Sequence, residues 1–254
     1  MTAEIEWMLM TAAELNARAA EGALVIVPVA SMEQHGPHLG TGVDIILASG
    51  IAQATARLLQ GKGLPVVVTP CVWTGLAEHH MGFGGTVTLD YESFAGVLRS
   101  VVRSAARVGF RRVLLLNGHG GNADAVSVAS TAFAVELGIA VAAATYWHLV
   151  PEVIAPLLDR QPTLMHACEA ETSMVMHLRP AAVRPERLEE AHGPASIRPA
   201  GQPAAFIRRR PVQEISASGV LGDARTANAE KGAKLLEAIS GKLAEHLAKP
   251  ELWA

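Results

Sequence analysis

At 254 residues the chain can form one large α/β domain or two small ones, on a scale of roughly 100–200 residues per domain. Half of it is hydrophobic and only 4% is aromatic, so Ala, Val and Leu carry the apolar load, which suits strands buried on both faces beneath close-packed helices. A formal net charge of −3 gives no sign of nucleic acid or an anionic membrane as partner, and two cysteines, Cys71 and Cys168, are too few for a disulfide framework.

The start, Met1 to Glu6, is acidic and lacks the basic segment of a secretory signal, so a cytoplasmic protein is expected. Trp7 to Ala20 reads as a short helix, with Thr11 capping it through Glu14. Leu24 to Val29 reads as a first buried strand, Asp44 to Leu59 as a helix, and Pro65 to Pro70 as a second strand. Tyr91 to Val108 is helical and closes at Gly109; Arg112 to Leu116 is a third strand; Ala123 to Leu137 is the next helix; Ile139 to Thr145 is a fourth strand. The most membrane-like stretch, Leu137 to Leu158, is broken by His148, Pro151, Glu152 and Pro156, and reads as a strand followed by a short helix. Ala167 to Leu178 looks helical, residues 179–212 read as an excursion rich in Pro, Arg and Gly, and Asp223 to Leu247 is a final amphipathic helix. No repeat or linker divides the chain, so a single domain over 1–254 is expected. Strands alternating with helices imply a mostly parallel sheet covered on both faces, a three-layer αβα α/β fold.

Polar, Gly-rich loops follow the first three strands, at the carboxyl edge where open α/β sheets bind ligands. The first loop carries Glu33, His35, His38 and Asp44, all candidate ligands of a zinc- or manganese-type ion. The third is Asn117-Gly118-His119-Gly120-Gly121-Asn122, where glycines let backbone approach a ligand closely. That turn also fits a dinucleotide fingerprint, but Tyr146-Trp147-His148 stands where a ribose-binding acid is required. His166 and Glu169 are three apart and would share a helical face, whereas Glu171 would point elsewhere. His79 and His80 lie in the second loop, where one could contact substrate.

Glu33, His35, Asp44, His119 and Glu169 make five protein ligands, too many for one open catalytic zinc, which keeps ~3. They suit two divalent ions ~3.5–4 Å apart that share a water and polarise a carbonyl. Asp44 is the expected bridge, and zinc the expected metal, with manganese or iron as alternatives. His166 is the expected proton donor to the leaving nitrogen. Arg208-Arg209-Arg210 reads as a solvated or subunit-contact patch. No G-x-S-x-G elbow and no Walker A pattern occurs.

These motifs resemble the creatininase (creatinine amidohydrolase) family. The resemblance rests on Pro28 to Leu39 with Asp44 following, on Glu78-His79-His80-Met81-Gly82-Phe83-Gly84-Gly85-Thr86, on Asn117 to Asn122, and on Gly219-Val220-Leu221-Gly222-Asp223. It implies a three-layer fold, a binuclear centre, hydrolysis of a C–N bond in a cyclic amide or formamide, and frequent homohexamers. It carries ligands onto Glu33, His35, Asp44 and His119, and substrate contacts are expected at His80 and Gly120. Creatininase proper has a ligating glutamate two residues after the third-motif histidine, where this chain has Gly121, so a Gly-His-Gly-Gly-Asn branch is expected, with Glu169 supplying the carboxylate. Relatives in the family include formamide hydrolases, a mycofactocin-associated peptidase and a hydrolase that opens a C–C bond of a cyclic keto-inositol. The reading from outside this class is a non-catalytic nucleotide- or ligand-binding module.

Overall fold

The computed structural model describes residues 4–196 and 208–254; residues 1–3 of the acidic start and 197–207 of the Pro/Arg-rich excursion lie outside the described residues. Four parallel strands, β1 (Leu24–Val29), β2 (Val66–Val68), β3 (Arg112–Asn117) and β4 (Ala140–Thr145), form a sheet in the order β2-β1-β3-β4. β1 pairs with β3 in full register from Leu24↔Arg112 to Val29↔Asn117. Pairing with β2 stops at Ile26↔Val68. The next residue on that side of β1 is Pro28, which has no N–H to offer, and β2 is itself bounded by Pro65 and Pro70. The expected second strand, Pro65 to Pro70, is shortened accordingly.

Helices cover both faces. α2 (Val43–Gly61), α6 (Glu169–Leu178) and α7 (Ala229–Leu247) enclose one core with Ile26, Leu47, Leu114, Met174 and Ile239. α1 (Ala12–Ala20), α3 (Tyr91–Val108) and α4 (Ala123–Leu137) enclose the other with Val25, Phe94, Leu98, Leu115 and Phe133. Successive strand residues bury on opposite faces, which is why Val25 and Ile26 belong to different cores. The result is the three-layer α/β/α architecture, with a short helix α5 (Pro151–Ile154) between β4 and α6.

Helix starts follow their caps. α1 begins at Ala12, after a 3-10 turn over Trp7–Leu9, because Thr11 and Glu14 form a capping box. α7 begins at Ala229, not at Asp223, because the Asn228 side chain accepts the Lys231 N–H at 2.9 Å. Leu137 to Leu158 resolves into β4 and short helical turns, and no described helix is long and apolar enough to cross a membrane.

Candidate metal centre

β1 and β3 are neighbours whose connections run to opposite faces, and the loops leaving their carboxyl ends meet there. The β1 loop delivers Glu33 and His35, the first turn of α2 delivers Asp44, and the β3 loop delivers His119; all four side chains are buried. His35 Nε2 lies 3.1 Å from Asp44 Oδ1, and His119 Nδ1 lies 3.0 Å from Glu33 Oε2 and 3.2 Å from Asp44 Oδ2. Each carboxylate oxygen of Asp44 therefore faces a different histidine.

The outer contacts fix which nitrogens face inward. His35 Nδ1 donates to the Glu33 carbonyl at 3.1 Å, and His119 Nε2 donates to the Leu76 carbonyl at 3.2 Å. Asn117 braces the His119 backbone on both sides, accepting its N–H at 3.1 Å and donating to its carbonyl at 2.7 Å. In the neutral rings, lone pairs of His35 Nε2 and His119 Nδ1 thus point at carboxylate oxygens. Glu33 Oε2, His35 Nε2 and Asp44 Oδ2 are buried without an aligned hydrogen bond. Among the described residues no lysine or arginine is paired with Glu33, Asp44 or Glu171. Lone pairs facing carboxylates call for a cation between them, so the donor set fits divalent metal.

The titration behaviour has the same cause. Burial opposes charge on His35, but the carboxylates of Asp44, Glu171 and Glu33 outweigh it and raise its pKa to about 9. Burial likewise opposes charge on His119, and Glu33 and Asp44 raise it to about 10. Burial would raise Asp44, yet His35 and His119 hold it down at about 2.

The fifth expected ligand is corrected. Glu169 is fully buried but faces away: its carboxylate accepts the Asp159 N–H at 3.0 Å and the Arg160 N–H at 3.0 Å, and it pairs with Lys231 Nζ. Glu171 faces the cluster instead, with Oε2 3.8 Å from His35 Nε2 and accepting the Ala167 N–H at 2.5 Å. The expected helix from Ala167 put His166 and Glu169 on one face. The helix starts at Glu169, and Ala167 sits at φ 54°, so the chain turns sharply between His166 and α6. Glu171 is then about 200° further round the helix than Glu169, on the cluster side. Gly121 itself has no room for the family's glutamate, since a Cβ there would lie 2.2 Å from His119 Nε2 and 2.2 Å from the Leu76 carbonyl. His38 is also outside the cluster; its Nε2 meets Thr172 Oγ1 at 2.8 Å, fastening the β1 loop to α6.

His166 and His80 stand beside the cluster. His166 Nδ1 is 3.6 Å and His80 Nε2 3.3 Å from Glu33 Oε1. Ligand atoms of Glu33/His80/His166, of His35/His166/Glu171 and of Glu33/His35/Asp44 each lie within 4.8 Å of one another, so three overlapping triads could hold ions. Gln34, unassigned by sequence reasoning, organises both rings. Its Oε1 accepts the Gly36 N–H at 2.9 Å, which fixes the amide orientation. Its Nε2 then lies 3.0 Å from His80 Nδ1 and 3.1 Å from the Gly219 carbonyl, while its own carbonyl accepts from His166 Nε2 at 2.9 Å. The His80 tautomer follows: its proton is on Nε2, toward Glu33. His166 Nε2 lies between the Gln34 carbonyl at 2.9 Å and the Gln34 Nε2 at 3.0 Å, and donation to the carbonyl is the arrangement that turns an Nδ1 lone pair toward the cluster. Burial, reinforced by neighbouring histidines, keeps His166 well below the ordinary range and His80 at about 2, so both are neutral.

Above the cluster opens a cavity of about 410 Å³, lined by Asp44, His80, His119, Gly120, His166 and Glu171 and, on its outer wall, by His79, Trp147 and Arg208 to Arg210. The two expected substrate contacts, His80 and Gly120, both line this cavity, and a side chain at Gly120 would meet open space.

The creatininase family model, described as creatinine amidohydrolase, matches residues 8–247. The chain is 32% identical to a mycofactocin precursor peptide peptidase of Mycobacterium tuberculosis, over 89% of this chain and 84% of that protein. It is 31% identical to a creatinine amidohydrolase of Pseudomonas putida, over 90% of each. It is 29% identical to a 3-dehydro-scyllo-inosose hydrolase of Thermotoga maritima, over 92% of this chain and 80% of that one. A crystal structure of creatinine amidohydrolase superposes with a TM-score of 0.80 at 29% identity over 96% of each chain. A Mn creatininase and a Zn-Zn type creatininase mutant each superpose with a TM-score of 0.81 at 27% identity, over 96% of this chain and 98% of theirs. With sequence, fold and donor cluster in agreement along nearly its whole length, this chain belongs to the creatininase family of hydrolases.

Proposed function

We propose that the chain, acting as one domain, is a metal-dependent hydrolase that cleaves an amide C–N bond. The observation that carries this is the convergence of buried carboxylate oxygens and imidazole nitrogens, three of them without an aligned hydrogen bond, at the floor of a cavity. Glu33, His35, Asp44, His119 and Glu171 would hold two divalent ions, with Asp44 between them because each of its oxygens faces a different histidine. Zinc is the first choice for imidazole and carboxylate donors, and manganese suits them as well. When bound, such a pair supplies an acidified water and a polarised carbonyl.

The protein's own groups handle the proton. Hydrolysis moves one proton from the attacking water to the departing nitrogen. His166, neutral and with its Nδ1 lone pair turned toward the cluster, accepts that proton and returns it to the nitrogen as the C–N bond breaks. It can donate only after it has first accepted, so it serves as base before acid. His80, braced by Gln34, keeps a fixed N–H on Glu33 and limits that carboxylate to one orientation.

The expected restriction to cyclic amides and formamides widens to include peptide bonds, because a peptide peptidase is among the relatives. Sequence resemblance favours a homohexamer. The deciding experiment is elemental analysis of protein purified without chelator, followed by turnover of cyclic amides, formamides and short peptides. Near two equivalents of metal and amide turnover lost on chelation are expected. Protein that carries no transition metal and gains no activity with zinc, manganese or iron would overturn the reading. For His166→Ala we expect full metal content with slowed turnover; loss of metal would make His166 a ligand.

A further inference from the structure

The Arg208-Arg209-Arg210 tract, expected to be a solvated or subunit-contact patch, forms the outer wall of the cavity above the cluster. Arg209 spans its mouth: Nη2 donates to the Gly120 carbonyl at 2.9 Å, which puts the guanidinium beside the residue that follows His119. Its acidic neighbour, Asp124, is 3.9 Å away and the pair is exposed at 42% and 74%, so that contact holds Arg209 only weakly. Arg210 is turned back on Glu214, with Nε 3.6 Å from Oε2. Arg208 has no hydrogen bond or ion pair among the described residues.

The cavity floor and its wall therefore differ in charge. Asp44 and Glu171 belong to the cluster, where they would face the proposed ions. On the wall, three arginines stand against one acid, Asp124, and α4 points its N-terminus into the same side from Ala123. Guanidinium forks match the two oxygens of a carboxylate and hold their charge at any working pH. A neutral substrate could accept hydrogen bonds from this wall but would not gain charge pairing.

We propose that Arg208 and Arg209 bind a carboxylate of the substrate, so that the bond cleaved lies in a molecule with an anionic end. The proposal rests on the reading of the cavity as the substrate site. A phosphoryl group shares the chemistry; the carboxylate is preferred because Arg208 alone has no partner among the described residues, while Arg209 is already shared with a carbonyl and Asp124.

The test uses the full chain loaded with zinc and two matched probes, N-acetylglycylglycine and its C-terminal carboxamide, with binding read by calorimetry and turnover read separately by amine release. We expect the acid to bind at least about tenfold more tightly than the carboxamide, ~1.4 kcal/mol. R208Q/R209Q should remove that difference while metal content and melting temperature stay unchanged. Equal affinities in the wild type, or no binding of the acid at millimolar concentration, overturns the proposal. So does a preference that survives R208Q/R209Q, which would put the carboxylate on the metal. Inorganic phosphate that displaces the acid at a lower concentration than the acid itself requires would overturn the choice of carboxylate. An intact acid preference without turnover of either probe would support the proposal and count against the amide-hydrolase reading alone.

Discussion

Glu169→Gln and Glu171→Gln change chemically identical side chains two residues apart and should have opposite consequences. Glu169 is one half of a buried pair with Lys231, whose side chain is only 11% exposed. Removing one partner of a buried pair costs about 3–5 kcal/mol when the other is left alone. Lys231 keeps Asp159 Oδ2 at 2.7 Å and the Thr226 carbonyl at 3.3 Å, so the cost falls to ~2–3 kcal/mol. For a chain of this size that is a melting temperature lower by ~4–12 °C. Metal content should be unaffected, because Glu169 faces away from the cluster. Glu171→Gln should do the reverse. Burial pushes the Glu171 carboxyl up to about 8, against the pull of His35, so in metal-free protein near neutral pH it is protonated and a glutamine imitates it. The metal-free melting temperature should scarcely move. The loss of metal should exceed the ~10–100-fold that removing a mere outer-shell partner costs. The assay is elemental analysis after dialysis, paired with thermal melts of chelator-treated protein. Metal lost from Glu169→Gln and retained by Glu171→Gln would refute the assignment and restore Glu169 as the ligand.

Metal-free protein should lose stability from about pH 6.5 to 10, whereas loaded protein should hold its melting temperature over that range. His35 and His119, at about 9 and about 10, lie above their unfolded value, so their contribution is complete below it and disappears as pH rises through the folded values. Glu171, raised to about 8, acts in the same direction. A metal-free melt that is flat to pH 10 would contradict the carboxylate–imidazole contacts. Gly219→Ala should slow turnover by at least about tenfold, ~1.4 kcal/mol, with metal retained. A Cβ there would lie 2.2 Å from Gln34 Oε1 at a φ of +78°, displacing the amide that donates to His80 Nδ1 and lies 3.0 Å from His166 Nε2. Unchanged kcat in Gly219→Ala would remove Gln34 from the mechanism.

The strands, most helices and the first and third loops were legible because their signals are local. Periodicity marks Leu24–Val29 and Tyr91–Val108, and two acids and two histidines among glycines mark the first loop. Glu171 was not legible. Its orientation depends on one residue, Ala167, taking a positive φ that alanine does not advertise, and a helix begun two residues earlier turns the wrong glutamate inward. Gln34, and the place of the arginine tract beside the cavity, were not legible for a related reason. Their partners, Gly219 and Gly120, are distant in sequence, and no spacing rule connects them. The motif at Gly219 was recognised as a motif, yet its use, a carbonyl beneath Gln34, exists only in three dimensions.

The donors of the cluster run from Glu33 in the β1 loop to Glu171 in α6, across two layers of the fold. A nascent chain ending near Asn122 would already carry Glu33, His35, Asp44 and His119, but not the carboxylate that closes the set. If the cluster holds the two ions proposed above, capture of both would wait until the chain beyond residue 171 has emerged and α6 has docked against α2. On that reading loading would be a late step in biogenesis, and the metal pool that the finished protein meets would weigh more than the one present during synthesis in which ions it keeps.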